Sequence, residues 1–165
     1  MNIAVVDDLA VGRETLVNYL NEYFSERNIN VTISDFSDAE SFVTQFENNK
    51  YNIIFFDIYM PGMSGIEAAS TVRKTDSSVE IIFLSTSNNF ACESYSVNAF
   101  CYLVKPITKK CSWVTYAEIF WKIRKTFKSI IGSVQNETRN KTWNSIWFDN
   151  VHRCYKQKSP TSFEG

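Results

Sequence analysis

Four short apolar runs punctuate the first two thirds of the chain, and each stops at a residue that carries chemistry. Ile3-Ala4-Val5-Val6 ends in Asp7-Asp8, Ile53-Ile54-Phe55-Phe56 in Asp57, Ile81-Ile82-Phe83-Leu84 in Ser85-Thr86-Ser87, and Phe100-Cys101-Tyr102-Leu103-Val104 in Lys105-Pro106. Continuous apolar runs of this length, bounded by turn residues, predict strands covered on both faces, as in parallel sheets. Between them the period becomes helical. Leu16, Leu20 and Phe24 recur every fourth residue with Val17 beside them, predicting a first helix over 13–24. Residues 28–33 alternate polar and apolar, which predicts an edge strand. Ser37-Asp38-Ala39-Glu40 has the spacing of a capping box, Ser37 at the cap and Glu40 three residues on, and Ser64-Gly65-Ile66-Glu67 repeats it after the Pro61-Gly62 turn. A more polar helix is predicted over 88–97. A last one, over 112–131, carries Trp113, Ala117, Phe120, Phe127 and Ile131 at three-to-four spacing. Regular alternation of strand and helix implies right-handed crossovers and an α/β fold, a doubly wound parallel sheet with helices on both faces.

The length, 165 residues, suits one domain of ordinary size plus a remainder. Charge divides the two. Residues 1–110 hold fourteen acids against eight bases, a balance of −6, whereas 111–165 hold four against nine, a balance of +5. All four tryptophans, Trp113, Trp121, Trp143 and Trp147, fall in the second part. Cys92, Cys101, Cys111 and Cys154 have no C-x-x-C spacing and His152 beside Cys154 is half a metal site, so reduced, unligated thiols are expected. The N-terminus enters a strand without the basic and then apolar stretch of a signal peptide, and nothing resembles a membrane span; a cytoplasmic location is expected.

In an open parallel sheet the carboxyl ends of the strands lie along one edge, where ligands bind at the reversal of strand order. Asp7, Asp8, Asp57, Ser85 and Lys105 are therefore expected to converge. Two carboxylates ~4 Å apart repel by roughly 4 kcal/mol at an effective dielectric of about 20. A hard divalent cation removes that conflict, and Mg²⁺ binds through one or two carboxylates while keeping waters and phosphoryl oxygens. A carboxylate can attack phosphorus when a metal, an ammonium and a hydroxyl share the charge of the transferred group. Asp57, at the end of the most apolar strand, is the expected nucleophile, with Asp7 and Asp8 holding the metal. Lys105 and the Ser85 hydroxyl are expected to meet phosphoryl oxygens. Taken singly, each is an ordinary turn or surface residue; their convergence is what points to a site.

Asp7-Asp8, Asp57 followed by Met60-Pro61-Gly62 and Ser64-Gly65, then Ser85 and Lys105-Pro106, in this order and spacing, resemble the receiver domain of two-component response regulators. The resemblance covers residues 1 to about 110 and implies a flavodoxin-like five-stranded sheet of order 2-1-3-4-5. It also implies phosphotransfer from a sensor histidine kinase to Asp57, Mg²⁺ held by Asp7, Asp8, Asp57 and the main-chain carbonyl of Tyr59, and a cis Lys105-Pro106 bond. In that family the hydroxyl after the fourth strand moves toward the phosphoryl group while an aromatic on the fifth strand swings inward. Ser85 and Tyr102 occupy those positions; Thr86 competes with Ser85, strand alternation favours Ser85, and Tyr102 equally suits a core aromatic. By the same resemblance helix one faces the kinase, and any homodimer forms through helix four, strand five and helix five.

Residues 81–95 are further similar to receivers that precede LytTR-type DNA-binding domains of transcription regulators. The expected division is a receiver over 1–131 including its last helix, then a basic, Trp-containing tail over 132–165. That tail is too short for a LytTR domain and lacks its strand-and-turn rhythm; it reads as a truncated, partly disordered end. DNA contact would need a longer form, or arise weakly through the tail's bases and aromatics. Two further readings stay open: a protein-interaction receiver that never takes phosphate, and an aspartate-nucleophile phosphatase of the haloacid dehalogenase type. The latter needs aspartates one residue apart, whereas Asp7 and Asp8 are adjacent. Beyond self-catalysed phosphotransfer and dephosphorylation, no enzyme activity is expected.

Overall fold

A computed structural model of the chain describes residues 1–86 and 97–108. The predicted helix over 88–97, except for Val97, lies outside the described residues, as do the last helix over 112–131 and the tail over 132–165. Chain contacts set off Met1–Lys109 as one compact unit.

The elements are β1 (Asn2–Val6), α1 (Ala10–Ser25), β2 (Thr32–Phe36), α2 (Ala39–Gln45), β3 (Ile53–Asp57), α3 (Gly65–Thr75), β4 (Glu80–Ser85) and β5 (Cys101–Val104). They form one five-stranded sheet of order β2-β1-β3-β4-β5. Every pairing is parallel, with Val6 beside Phe56, Asp57 beside Leu84 and Ser85 beside Val104. This is the doubly wound, flavodoxin-like order expected from the sequence, and it leaves the carboxyl ends of β1 and β3 adjacent where strand order reverses.

The reason is the two-sided burial of the central strands. All five residues of β3 are buried. Alternate residues face opposite sides: Ile54 and Phe56 join Ala4, Val6, Ile81 and Phe83 in a cluster with Ala39 and Phe42 of α2 and Ala68, Ala69 and Val72 of α3. Phe42 centres it, meeting Phe36 at 5.1 Å and Phe56 at 5.2 Å between ring centroids, both edge to face. Deleting so enclosed a ring costs about 3–5 kcal/mol. Leu16, Leu20 and Phe24 of α1 are equally buried but outside that cluster, and α1 contacts β1 from the other face, beside Ile3 and Val5.

Helix ends depart from expectation at two places. α2 is capped by Asp38, whose carboxylate accepts from the Ser41 N–H at 2.7 Å, and not by Ser37. Ser37 instead donates its hydroxyl to Asp38 Oδ2, and Glu40 turns away from the cap altogether. The predicted edge strand over 28–33 moves to Thr32–Phe36, because Asn28 adopts a left-handed conformation, φ 53°, in the turn that closes α1, with the Ile29 N–H returning to the Phe24 carbonyl. The second capping box forms as expected: Ser64 and Glu67 exchange bonds across the first turn of α3. Asp76, where α3 ends, is buried, and hydrogen bonds from Ser78, Asn49 and Val79 outweigh the cost of that burial and hold its carboxyl below the usual range.

Candidate functional site

β1 and β3 each deliver a carboxylate to the same edge, Asp7 one residue past β1 and Asp57 at the last position of β3. Both are buried, with 1% and 4% of their surface exposed, while Asp8 is half-buried. One carboxylate oxygen from each of Asp7, Asp8 and Asp57 lies within 4.8 Å of the others. Lys105, directly after β5, extends over this edge and donates from Nζ to Asp7 Oδ2 and to Asp57 Oδ2, at 2.7 Å in each case.

Local chain geometry fixes each group. The Asp7 N–H donates to the Phe36 carbonyl, and Asp7 Oδ1 accepts from the Leu9 N–H at 2.9 Å, which turns the chain into α1. Gly12 in the first turn of α1 passes so close that a Cβ there would stand 2.9 Å from Asp7 Oδ2. The next residue, Arg13, donates from Nη1 to the main-chain carbonyls of Asp7 at 2.6 Å and Asp8 at 3.3 Å. On the other strand, the Tyr59 N–H points to Asp57 Oδ1 at 3.3 Å and the Ile58 N–H bonds the Leu84 carbonyl. The start of α3 presses on the Asp57 backbone: a Cβ at Gly65 would overlap the Asp57 carbonyl oxygen. Only glycine fits there.

The electrostatics follow from burial. Loss of water raises the Asp57 carboxyl above its ordinary value; Lys105 opposes this and the Asp7 charge adds to it. Burial alone would lower the Lys105 ammonium, but its hydrogen bonds to Asp57 and Asp7 reverse the sign and raise it. The cluster is thus a buried acidic pair held together by one cation.

Of the residues singled out in the sequence, Asp7, Asp8, Asp57 and Lys105 meet directly. Ser85 ends β4 at the same edge, buried, its carbonyl accepting from the Lys105 N–H at 2.7 Å. Tyr102 lies further down β5 beside Phe83, half-buried and packed on the α2–α3 side of the core. Tyr59 has an exposed side chain and meets the site through its backbone. The Lys105–Pro106 peptide is cis. Arg13 had gone unnoticed, because its hydrogen bonds go to main-chain carbonyls that carry no sequence signature and its ion pair, to Asp35 at 3.5 Å, is twenty-two residues distant. The donor set, three carboxylates with no sulfur or imidazole, fits a hard divalent cation of the Mg²⁺ type.

The fold and site together define an open α/β domain that gathers an acidic, lysine-bridged cluster at the carboxyl ends of its strands. Residues 3–111 match the response regulator receiver domain, and the chain belongs to that family, a signalling module. It is 32% identical over 107 residues to the positive alginate biosynthesis regulatory protein of Pseudomonas aeruginosa, a match covering 65% of this chain and 42% of that one. It is 31% identical over 113 residues to the sensory transduction protein LytR of Staphylococcus epidermidis, covering 67% and 42%. The chain thus matches less than half the length of these curated relatives. Among solved structures, response regulator protein TrrA of Thermotoga maritima, determined in complex with Mg²⁺-BeF, superposes with a TM-score of 0.53 at 27% identity, covering 75% of this chain and 96% of that one. No helix among the described residues is long and apolar enough to cross a membrane.

Proposed function

We propose that Asp57 is the phosphoacceptor of a two-component phosphorelay, taking a phosphoryl group from the phosphohistidine of a sensor kinase in a Mg²⁺-dependent reaction. The observation that carries this is Lys105: its ammonium stands equally close to Asp57 and Asp7, where it can exchange a carboxylate for a phosphoryl oxygen. The relative solved with Mg²⁺-BeF supports the same chemistry.

Asp57 supplies the attacking oxygen. A bond forms between that oxygen and phosphorus, the bond from phosphorus to the donor's imidazole nitrogen breaks, and its electron pair leaves with the imidazole. Asp7, Asp8, Asp57 and the Tyr59 main-chain carbonyl would hold Mg²⁺, which when bound neutralises charge on the transferring group. Arg13 keeps the Asp7–Asp8 main chain in place. Lys105 and the Ser85 hydroxyl donate to phosphoryl oxygens, and the movement of Ser85 toward them opens space for Tyr102 to turn inward. Loss of the group is the reverse in kind: water attacks phosphorus, the acyl phosphate bond breaks, and Asp57 is restored with release of inorganic phosphate.

The output we infer is transcriptional, through a homodimer contact on strand five and its flanking helices four and five, and a LytTR-type DNA-binding domain in a longer form. The two relatives above support this reading, one named as a biosynthesis regulator and the other as a sensory transduction protein. Incubation with acetyl phosphate and Mg²⁺, followed by intact mass, tests the acceptor. One added phosphoryl group, absent with EDTA and in Asp57→Asn, is expected; a chain that never gains it is an interaction module.

A further inference from the structure

Glu40 has the sequence position of a capping-box glutamate, yet it does not close back on its own helix. Its Oε1 leaves the first turn of α2 and accepts a hydrogen bond at 2.7 Å from the main-chain N–H of Met63, twenty-three residues away. The residue before, Gly62, has φ +77°, and a Cβ built there would collide with the same Glu40 oxygen. The carboxylate and the Pro61-Gly62-Met63 turn are therefore fitted to one another.

That turn is the middle of the segment joining Asp57 to α3. Upstream, the Tyr59 N–H points to Asp57; downstream, Ser64 caps α3 and the Gly65 N–H bonds the Ile58 carbonyl. Between these fixed ends Met60 is buried in the core and Met63 packs partly against it, while Pro61 and Gly62 are exposed; Glu40 gives the turn its polar side-chain anchor. We infer that Glu40 is a positioning residue for the phosphoacceptor loop, holding Tyr59 and its main-chain carbonyl at the distance from Asp57 that cation binding requires. This rests on the proposed function for the identity of the cation, though the clamp is a feature of the geometry alone. α2 thereby becomes part of the site through its Glu40 side chain.

The test is a calorimetric Mg²⁺ titration of the full chain, with no phosphoryl donor, on wild type, Glu40→Ala, Glu40→Gln and Glu40→Asp. Melting temperature and amide exchange at Met63 are followed in parallel. Loss of a charge-assisted hydrogen bond should weaken Mg²⁺ binding about three- to tenfold in Glu40→Ala. Glu40→Asp should behave alike, since a side chain one methylene shorter withdraws its oxygen while keeping charge and helix start. Glu40→Gln, which keeps an acceptor oxygen, should stay within about twofold of wild type. Faster exchange at Met63 should accompany weaker binding. Unchanged Mg²⁺ affinity in Glu40→Ala with a lowered melting temperature would make the contact purely structural and overturn the inference. Equal weakening in Gln and Ala variants would assign the effect to charge and overturn it too. A wild type that binds Mg²⁺ but takes no phosphoryl group removes the proposed function and leaves this titration decisive for the clamp.

Discussion

The Lys105 ammonium stands 2.7 Å from Asp57, and at the same distance it also holds Asp7, so one cation joins two buried carboxylates delivered by different strands. With only 15% of its side chain exposed, Lys105 acts here as an internal counter-ion. Removing it leaves two buried acids facing each other.

Lys105→Met should therefore lower stability at neutral pH by about 2 kcal/mol in the presence of EDTA. Because the folded ammonium titrates above its unfolded value, its contribution is fully present below the unfolded value and disappears as pH rises through the folded one. The difference in melting temperature between wild type and variant should thus shrink in strong alkali. Mg²⁺ should narrow it at neutral pH, since a second cation replaces the first. A variant as stable as wild type in EDTA contradicts this picture of the site.

Asp57→Asn should act in the opposite direction. Burial, the largest cause, raises the folded carboxyl above its unfolded value, so the folded state binds the proton more tightly and stability falls as pH rises through that interval. Without divalent cation the Asn variant should melt a few degrees higher than wild type at pH 7, and the gap should close as pH drops toward the ordinary carboxylate value. Melting curves across acid to neutral pH measure this; a wild type that gains stability on Asp57 over the same range contradicts it.

Arg13→Gln removes the guanidinium that bonds the Asp7 and Asp8 carbonyls. Leaving those acceptors without their charged partner should cost about 1–3 kcal/mol. The half-saturating Mg²⁺ concentration should rise as well, since both acids lose their backbone support. Denaturant unfolding and Mg²⁺ titration check the two effects separately.

Gly65→Ala inserts a methyl group against the Asp57 carbonyl and about the Phe56 side chain, whose Cβ lies 3.2 Å from the added atom. The first turn of α3 or the end of β3 has to shift, at a cost of about 1–3 kcal/mol. Urea unfolding should show the lower midpoint. Phosphoryl acceptance should fall more than for a core substitution of equal stability cost, because the shift falls on the backbone of Asp57, the proposed acceptor.

The architecture and the convergence of Asp7, Asp8, Asp57 and Lys105 were legible in the sequence because both depend on strong local patterns. Ile53-Ile54-Phe55-Phe56 could only be a doubly covered strand, and the residues ending each strand had to share an edge once the sheet was parallel. Ser64 and Glu67 were readable for the same reason: their partners lie within one turn. The failures are residues whose partners are distant. Glu40 looked like a cap, but the Met63 N–H offers it a partner that sequence spacing cannot reveal, and Asp38 was free to take the cap. The edge strand slipped because Asn28 ends α1 in a left-handed turn, so the alternation over 28–33 straddled a turn and a strand. Arg13 and Arg73 both donate hydrogen bonds to main-chain carbonyls, Arg13 beside an ion pair with Asp35 and Arg73 to the carbonyls of Asp76, Val79, Val97 and Asn98. Such partners exist only after folding.

The most direct measurement locates the phosphoryl group. Wild-type chain treated with acetyl phosphate and Mg²⁺, reduced with borohydride and digested should yield homoserine in place of aspartate at position 57 and nowhere else, since borohydride converts an acyl phosphate to the alcohol. Unmodified Asp57, or homoserine at Asp7 or Asp8 instead, would contradict the assignment of Asp57 as the nucleophile of this site.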